Sequence, residues 1–186
     1  MHRATRTLLP AFLGTSLLVT LAPAAGAAET PASSPTPSAH ARAADTTATI
    51  SRATVIKRAK KWLTANNGHQ VPYSQTKTWG GYRQDCSGYV SMALKLLKPG
   101  PNTVGLASST YTKKIKVKNL KKGDLLIDAK GSSTTRHVVI FEKWANSARS
   151  AYWAYEQRGG HGTDHRKLSY GLKADEYDAY RPKKYG

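Results

Sequence analysis

Asp85-Cys86-Ser87-Gly88-Tyr89-Val90-Ser91-Met92-Ala93-Leu94 is the stretch on which the reading of this chain turns. Val90, Ala93, Leu94 and Leu97 follow Cys86 at the spacing of one helical face. Asp85 is a residue type that caps a helix by accepting from an unpaired amide of the first turn. The spacing predicts a helix that opens at Cys86 and runs until Pro99-Gly100-Pro101 stops it. Cys86 then sits at a helix N-terminus, where unpaired amides and the macrodipole favour an anion, here a thiolate. Asp85 is assigned to capping, because its charge pointed at the sulfur would oppose that thiolate.

Upstream, Val55, Ala59, Trp62 and Leu63 recur at helical spacing behind a Ser51 cap, and Asn66-Asn67-Gly68 supplies a stop. The outer face of this first helix carries Lys57, Arg58, Lys60 and Lys61, and a turn-rich stretch with Pro72, Gly80 and Gly81 leads on to Cys86. Downstream of Ile115 the period changes to two. Ile115 and Val117 alternate with Lys116 and Lys118, then come Leu125-Leu126-Ile127, His137 to Trp144, Ala151 to Glu156, and a last short strand from Tyr177 to Arg181. Gly123-Asp124, Lys130-Gly131-Ser132 and Asn146-Ser147 mark the turns. Helices first and antiparallel strands afterwards predict an α+β fold in which the Cys86 helix packs on the sheet.

The N-terminal region reads differently. Arg3 and Arg6, an apolar stretch from Leu8 to Leu21, and small residues ending Ala25-Gly26-Ala27 have the grammar of a secretory signal peptide over 1–27. Pro10, Gly14 and Thr15 interrupt a core already shorter than the roughly 20 apolar residues of a bilayer span. Residues 28–50 are rich in Ala, Pro, Ser and Thr without apolar periodicity, the composition of a linker or pro-segment. The expected mature product is a secreted, monomeric domain over 51–186, extracellular or wall-associated, with no membrane attachment once the signal is removed.

Charge narrows the partner. The chain has 29 Lys and Arg against 11 Asp and Glu, a formal net charge of +18, and only Arg3, Arg6, Arg42, Glu29 and Asp45 fall before residue 51. Such a field favours polyanions. Nucleic acid is the ordinary partner of a basic chain, but export directs the expectation to an anionic bacterial wall polymer and away from nucleic acid. No separate wall-binding module is visible, so the stripe Lys113, Lys114, Lys116, Lys118, Lys121 and Lys122 is the candidate retention surface; the alternative is a solvated strand edge that resists aggregation.

With one cysteine in the chain, no intramolecular disulfide is possible even in an oxidising compartment. A thiol nucleophile needs an imidazole to take and return the proton. Of six histidines, His2 and His40 precede the domain, His69 follows a helix stop, and His161 and His165 lie in a Gly-rich segment. His137 alone opens a strand with an apolar continuation, Val138-Val139-Ile140, that would hold its ring. The next strand offers Glu156, with Gln157 beside it, to orient the other ring nitrogen. His161, Asp164 and His165 have a His-x3-His spacing that metals use on helices, but Gly159, Gly160 and Gly162 argue against a helix. A loop contacting substrate is expected there, with no metal ligand and no cofactor.

Val71-Pro72-Tyr73, Trp79-Gly80-Gly81 and Asp85-Cys86-Ser87-Gly88-Tyr89-Val90 together resemble the nucleophile region of NlpC/P60 cell-wall peptidases. Leu120-Lys121-Lys122-Gly123-Asp124-Leu125 is similar to the strand entry before their histidine, and His137-Val138-Val139-Ile140-Phe141 to the histidine strand, so the likeness spans nearly the whole domain. It implies a papain-like fold with Cys86 as nucleophile, His137 as base, and Tyr73 beside the cysteine positioning substrate or the oxyanion. The family usually places another polar residue, often histidine, on the strand after the base. Here that strand reads Ala151-Tyr152-Trp153-Ala154-Tyr155-Glu156-Gln157, and a glutamate there is more similar to the CHAP amidases.

The implied activity is that of a secreted cysteine endopeptidase hydrolysing stem or cross-bridge peptides of peptidoglycan through a thioacyl enzyme. Two other classes remain open at this stage. One keeps the Cys-His site but makes the enzyme an amidase, acyltransferase or transglutaminase-like protein; the other is a non-catalytic cationic wall-binding protein.

Overall fold

The computed structural model describes residues 49–185; the expected signal peptide, and all but the last two residues of the expected linker, lie outside them. Helix α1 (Arg52–Lys61) opens as its sequence requires, the Ser51 hydroxyl accepting from the Thr54 amide at 3.1 Å, and it buries Val55, Ile56 and Ala59. It ends at Trp62, short of the expected stop. Asn67 and Gly68, at φ of 51° and 85°, instead make a turn that bridges Asn66 to His69. Ile50 donates its amide to the Lys184 carbonyl at 2.8 Å, so the folded domain takes in the end of the 28–50 segment.

Between α1 and the second helix a short hairpin, β1 (Thr78–Trp79) and β2 (Tyr82–Arg83), turns at Gly80-Gly81. Helix α2 (Cys86–Leu94) begins at the cysteine, with Asp85 Oδ1 accepting from the Gly88 amide at 2.6 Å. Its C-terminus differs from the expectation. Lys95 turns left-handed, its amide and that of Leu96 closing on the Met92 and Ser91 carbonyls, so the helix stops before Pro99 and leaves Leu97 outside and 52% exposed. A short helix α3 (Thr103–Ala107), capped by Asn102, follows.

The remaining chain forms a six-stranded antiparallel sheet, ordered β3 (Thr112–Ile115), β8 (Tyr177–Pro182), β4 (Leu125–Asp128), β5 (His137–Trp144), β6 (Tyr152–Arg158), β7 (Gly162–Leu168). The last strand thus inserts between the first and second. Two expectations are corrected. The strand placed from Ile115 onward instead ends at that residue, because Val117–Asn119 turns as a 3-10 helix. The Gly-rich segment around His161 is no free loop: Gly160, at φ 73°, turns the chain into β7, which pairs with β6 along its whole length.

The sheet is buried on both faces. On one, Val138, Ile140, Leu125, Ile127 and Tyr155 pack with Tyr89, Val90 and Leu94 of α2 and Val55 and Ala59 of α1. On the other, Leu126, Val139, Phe141, Ala154 and Ala179 form a second cluster roofed by Tyr170, Leu172 and Tyr177. Double burial is why the central strands read as continuous apolar runs rather than as an alternation. The buried Asp124 carboxylate receives Arg52 of α1 at 2.8 Å and Arg181 of β8 at 2.7 Å, tying helix, strand and the entry to β4 together. Among the described residues no helix is long and apolar enough to cross a membrane.

Candidate active site

Cys86 is the first residue of α2 and 5% exposed. As that first residue, its backbone amide has no acceptor within the helix. Two local features fix its place. Arg83 on β2 donates to Asp85 at 2.8 Å, to Ser87 Oγ at 2.9 Å and to the carbonyls of Gly100 and Pro101 at 2.6 and 2.9 Å, locking the approach to the helix. Gly88 lets the first turn press on β2: a Cβ there would strike the Arg83 carbonyl oxygen and lie 2.7 Å from the carbonyl carbon. Asp85 is wholly engaged by Arg83, Ser87 and the Gly88 amide, the capping role expected of it.

His137 opens β5 where the sheet ends. Its Nε2 lies 2.7 Å from Oε2 of Glu156, which leaves Nδ1 as the ring nitrogen available to the nearby Cys86 thiol. Burial pulls the His137 pKa down, but the nearby Cys86 and the hydrogen-bonded Glu156 outweigh it and raise the pKa to about 9. Glu156 is fully buried, and burial would lift its pKa; the hydrogen bonds from His137 and Arg166 win, holding its carboxyl below the ordinary range. The Arg166 guanidinium contacts Oε1 through its Nε and Tyr170 through Nη2 at 3.0 Å. The imidazole, with its pKa raised, thus has an anionic carboxylate on one ring nitrogen and the Cys86 thiol nearby, the groups that thiol acyl transfer uses.

Tyr73 lies beside them, half-buried on the segment before β1, its hydroxyl accepting from Gln75 Nε2 at 3.2 Å. Burial, with the nearby Cys86 and Asp85 charges, keeps its hydroxyl protonated to higher pH than an ordinary tyrosine, despite the opposing bond from Gln75. Gln157 is completely buried. Its Nε2 donates to the carbonyls of Val71, Pro72 and Gln84 at 3.0–3.1 Å, and its Oε1 accepts from Thr163 at 2.5 Å, pinning the Tyr73 segment and the residue before the cap to β6.

Two cavities flank the pair. One, of about 180 Å³, is lined by Cys86, Tyr73, Thr103 and Arg136; the other, of about 620 Å³, by His137, Tyr73, Arg136, Arg158 and Tyr177. The Thr103 hydroxyl stands 3.9 Å from the Cys86 sulfur. His161 and His165 do not join the site. Asp164 pairs with Arg158 at 2.9 Å with His161 3.7 Å away, whereas His165 stacks on Tyr155 and meets Glu142 at 3.0 Å. Asp164 and His165 are consecutive on a strand and so point to opposite faces. The expected substrate-contacting loop at this point is replaced by that ladder.

Arg166, Arg83 and Thr103 were not foreseen as site residues. Each reaches the site through pairing or packing of segments distant in sequence. Arg166 lies on β7, a segment whose Gly-rich, charged composition reads as a loop, so its place beside Glu156 is not legible from the sequence.

A comparison with curated proteins finds no match. The family model of the NlpC/P60 family matches residues 59–162, from α1 to the first residue of β7. Members of that family are typically cysteine peptidases or amidases of the cell wall. The match takes in more than half the chain, including α2, His137 and Glu156, and on that ground, with helices packed on an antiparallel sheet as the fold, the chain belongs to the NlpC/P60 family.

Proposed function

We propose that this chain is a secreted cysteine endopeptidase that hydrolyses peptide bonds in the stem or cross-bridge peptides of bacterial peptidoglycan, with Cys86 as nucleophile, His137 as base and acid, and Glu156 as orienter. The observation that carries this reading is the His137 imidazole held at 2.7 Å by the buried Glu156 carboxylate, with the Cys86 thiol close enough to raise its proton affinity. Family membership supplies the class of substrate, and the signal-like residues 1–27 support export.

Each step follows from a named atom. The Cys86 thiolate attacks the scissile carbonyl carbon, and its electron pair forms the carbon–sulfur bond while the carbonyl pair moves to oxygen. The Cys86 amide and the Tyr73 hydroxyl are assigned as the donors to the developing oxyanion. Imidazolium at His137 then delivers its Nδ1 proton to the departing amine, the carbon–nitrogen bond breaks, and a thioester remains. Water deprotonated by His137 attacks the thioester, giving a carboxylic acid product and the thiolate paired again with imidazolium. Glu156 keeps Nε2 protonated and the ring aligned throughout, and Arg166 holds Glu156.

The six lysines from Lys113 to Lys122 are all exposed, and β3, which bears the first two, is the outer strand of the sheet. They support retention on an anionic wall polymer; retention on sacculi should weaken as salt rises. The activity itself is tested by incubating purified mature domain with sacculi. Wild type should release fragments carrying new amino termini and Cys86→Ala should release none; equal behaviour of the two removes the reading.

A further inference from the structure

Three arginines line the larger cavity beside His137, and only one lacks an anionic partner. Arg158 is paired with Asp164 and Arg166 with Glu156. Arg136, which immediately precedes His137, lines both this cavity and the smaller one at Cys86. Its polar contact is a single bond from Nη1 to the Gly131 carbonyl at 2.9 Å. Its Nε is buried and has no hydrogen-bond partner, alone in this among the buried side-chain nitrogen and oxygen atoms of the described residues. The other charged residues of the smaller cavity, Arg83 and Asp85, are committed to each other and to the cap.

A buried donor left without an acceptor is costly, so such a group marks a place where a ligand atom completes the bonding. In arginine, Nε–H and the adjacent Nη2–H form the fork that takes both oxygens of one carboxylate. We propose that Arg136 is a specificity residue of the Cys86 site and binds a free carboxylate of the peptide next to the bond being cut. The substrate class is accordingly a stem peptide with an unblocked carboxyl group at that position, and the carboxamide form is the poor substrate. This rests on the peptidase reading above for the identity of the ligand, but not for its charge.

The probe is a synthetic stem tetrapeptide with free carboxylates, compared with its fully amidated twin. Calorimetric binding is measured on Cys86→Ala protein with Arg136 intact, with Arg136→Gln and with Arg136→Lys. The free-acid peptide should bind on the order of 10-fold or more tighter than its twin when Arg136 is present, the strength expected of a charge-assisted fork. Arg136→Gln should erase that preference, and Arg136→Lys, which keeps the charge but not the fork, should restore part of it. Equal binding of the twins to Arg136 protein overturns the proposal, as does a preference that survives Arg136→Gln. A loss of folding in the Gln variant appears as a lowered melting temperature, and the Lys variant then decides: a preference as large as that of Arg136 overturns the fork. Failure of the peptidase reading looks different, because wild type then leaves both peptides uncut whatever the binding ratio.

Discussion

Nε2 of His137 lies 2.7 Å from Oε2 of Glu156, although the β5–β6 register sets Val139, not His137, opposite that glutamate. The two residues meet as diagonal neighbours on one face of the ladder, a separation long polar side chains can span. Glu156 is in register with Asp164, and Ala154 with Arg166, so Arg166 reaches Glu156 by the same diagonal step. The orienting line runs obliquely across three strands.

Glu156→Gln preserves shape and removes the charge that helps hold His137 protonated. The pKa of His137 is raised from its ordinary value of 6.5 to about 9, and in the proposed mechanism the imidazolium is the acid for the leaving amine, so activity should fall as pH rises through about 9. In Glu156→Gln that alkaline limb should move to lower pH, with kcat/KM reduced about 10²-fold or more, as when a triad loses its carboxylate. A pH profile of kcat/KM for both proteins checks this.

The same shift has a consequence for stability. A group that holds its proton more tightly when folded stabilises the fold fully below its unfolded pKa, here near 6.5, and ceases to do so once pH passes its folded value near 9. Wild type should therefore lose stability on the order of 3 kcal/mol between those two pH values. His137→Gln should lose much less, as read by denaturation with urea at each pH.

Gly88→Ala should cost about 2–3 kcal/mol, since the new methyl meets β2 backbone rather than a side chain that can swing away. Gly159→Ala, where an added Cβ meets nothing within 4 Å, should stay within about 0.5 kcal/mol of wild type. Thermal melts of the two variants make the comparison.

Gln157→Leu keeps volume but strips donors from the Pro72 and Gln84 carbonyls and leaves the Thr163 hydroxyl without its buried acceptor. A loss of about 3 kcal/mol is expected. Tyr73 follows Pro72 directly, so the surviving folded enzyme should also show a raised KM in steady-state assays.

Helix α2 could be read from the chain almost complete, because a cap, a small residue for close packing and an apolar face are all local features. Its end could not, since Lys95 adopts a left-handed turn that no local residue type demands. The central strands were visible through their apolar runs, yet the second cluster that makes those runs continuous was not, as Tyr170 and Leu172 reach it from an irregular segment. Strand β7 was hidden because Asp164, His165, Arg166 and Lys167 are poor strand formers by composition; pairing with β6 decides their conformation. Cys86, His137 and Glu156 were each marked by type and position, but Arg136 was not: nothing in a sequence shows which of many arginines lacks a partner.

The most direct measurement is digestion of purified sacculi in ¹⁸O-labelled water by wild type, Cys86→Ala and His137→Ala, with the released peptides weighed by mass spectrometry. The account predicts that wild type releases peptides with a new amino terminus and one ¹⁸O at the matching new carboxyl terminus, and that neither variant releases any. Release by Cys86→Ala at the wild-type rate, or wild-type products that carry an acceptor amine in place of the label, would contradict it.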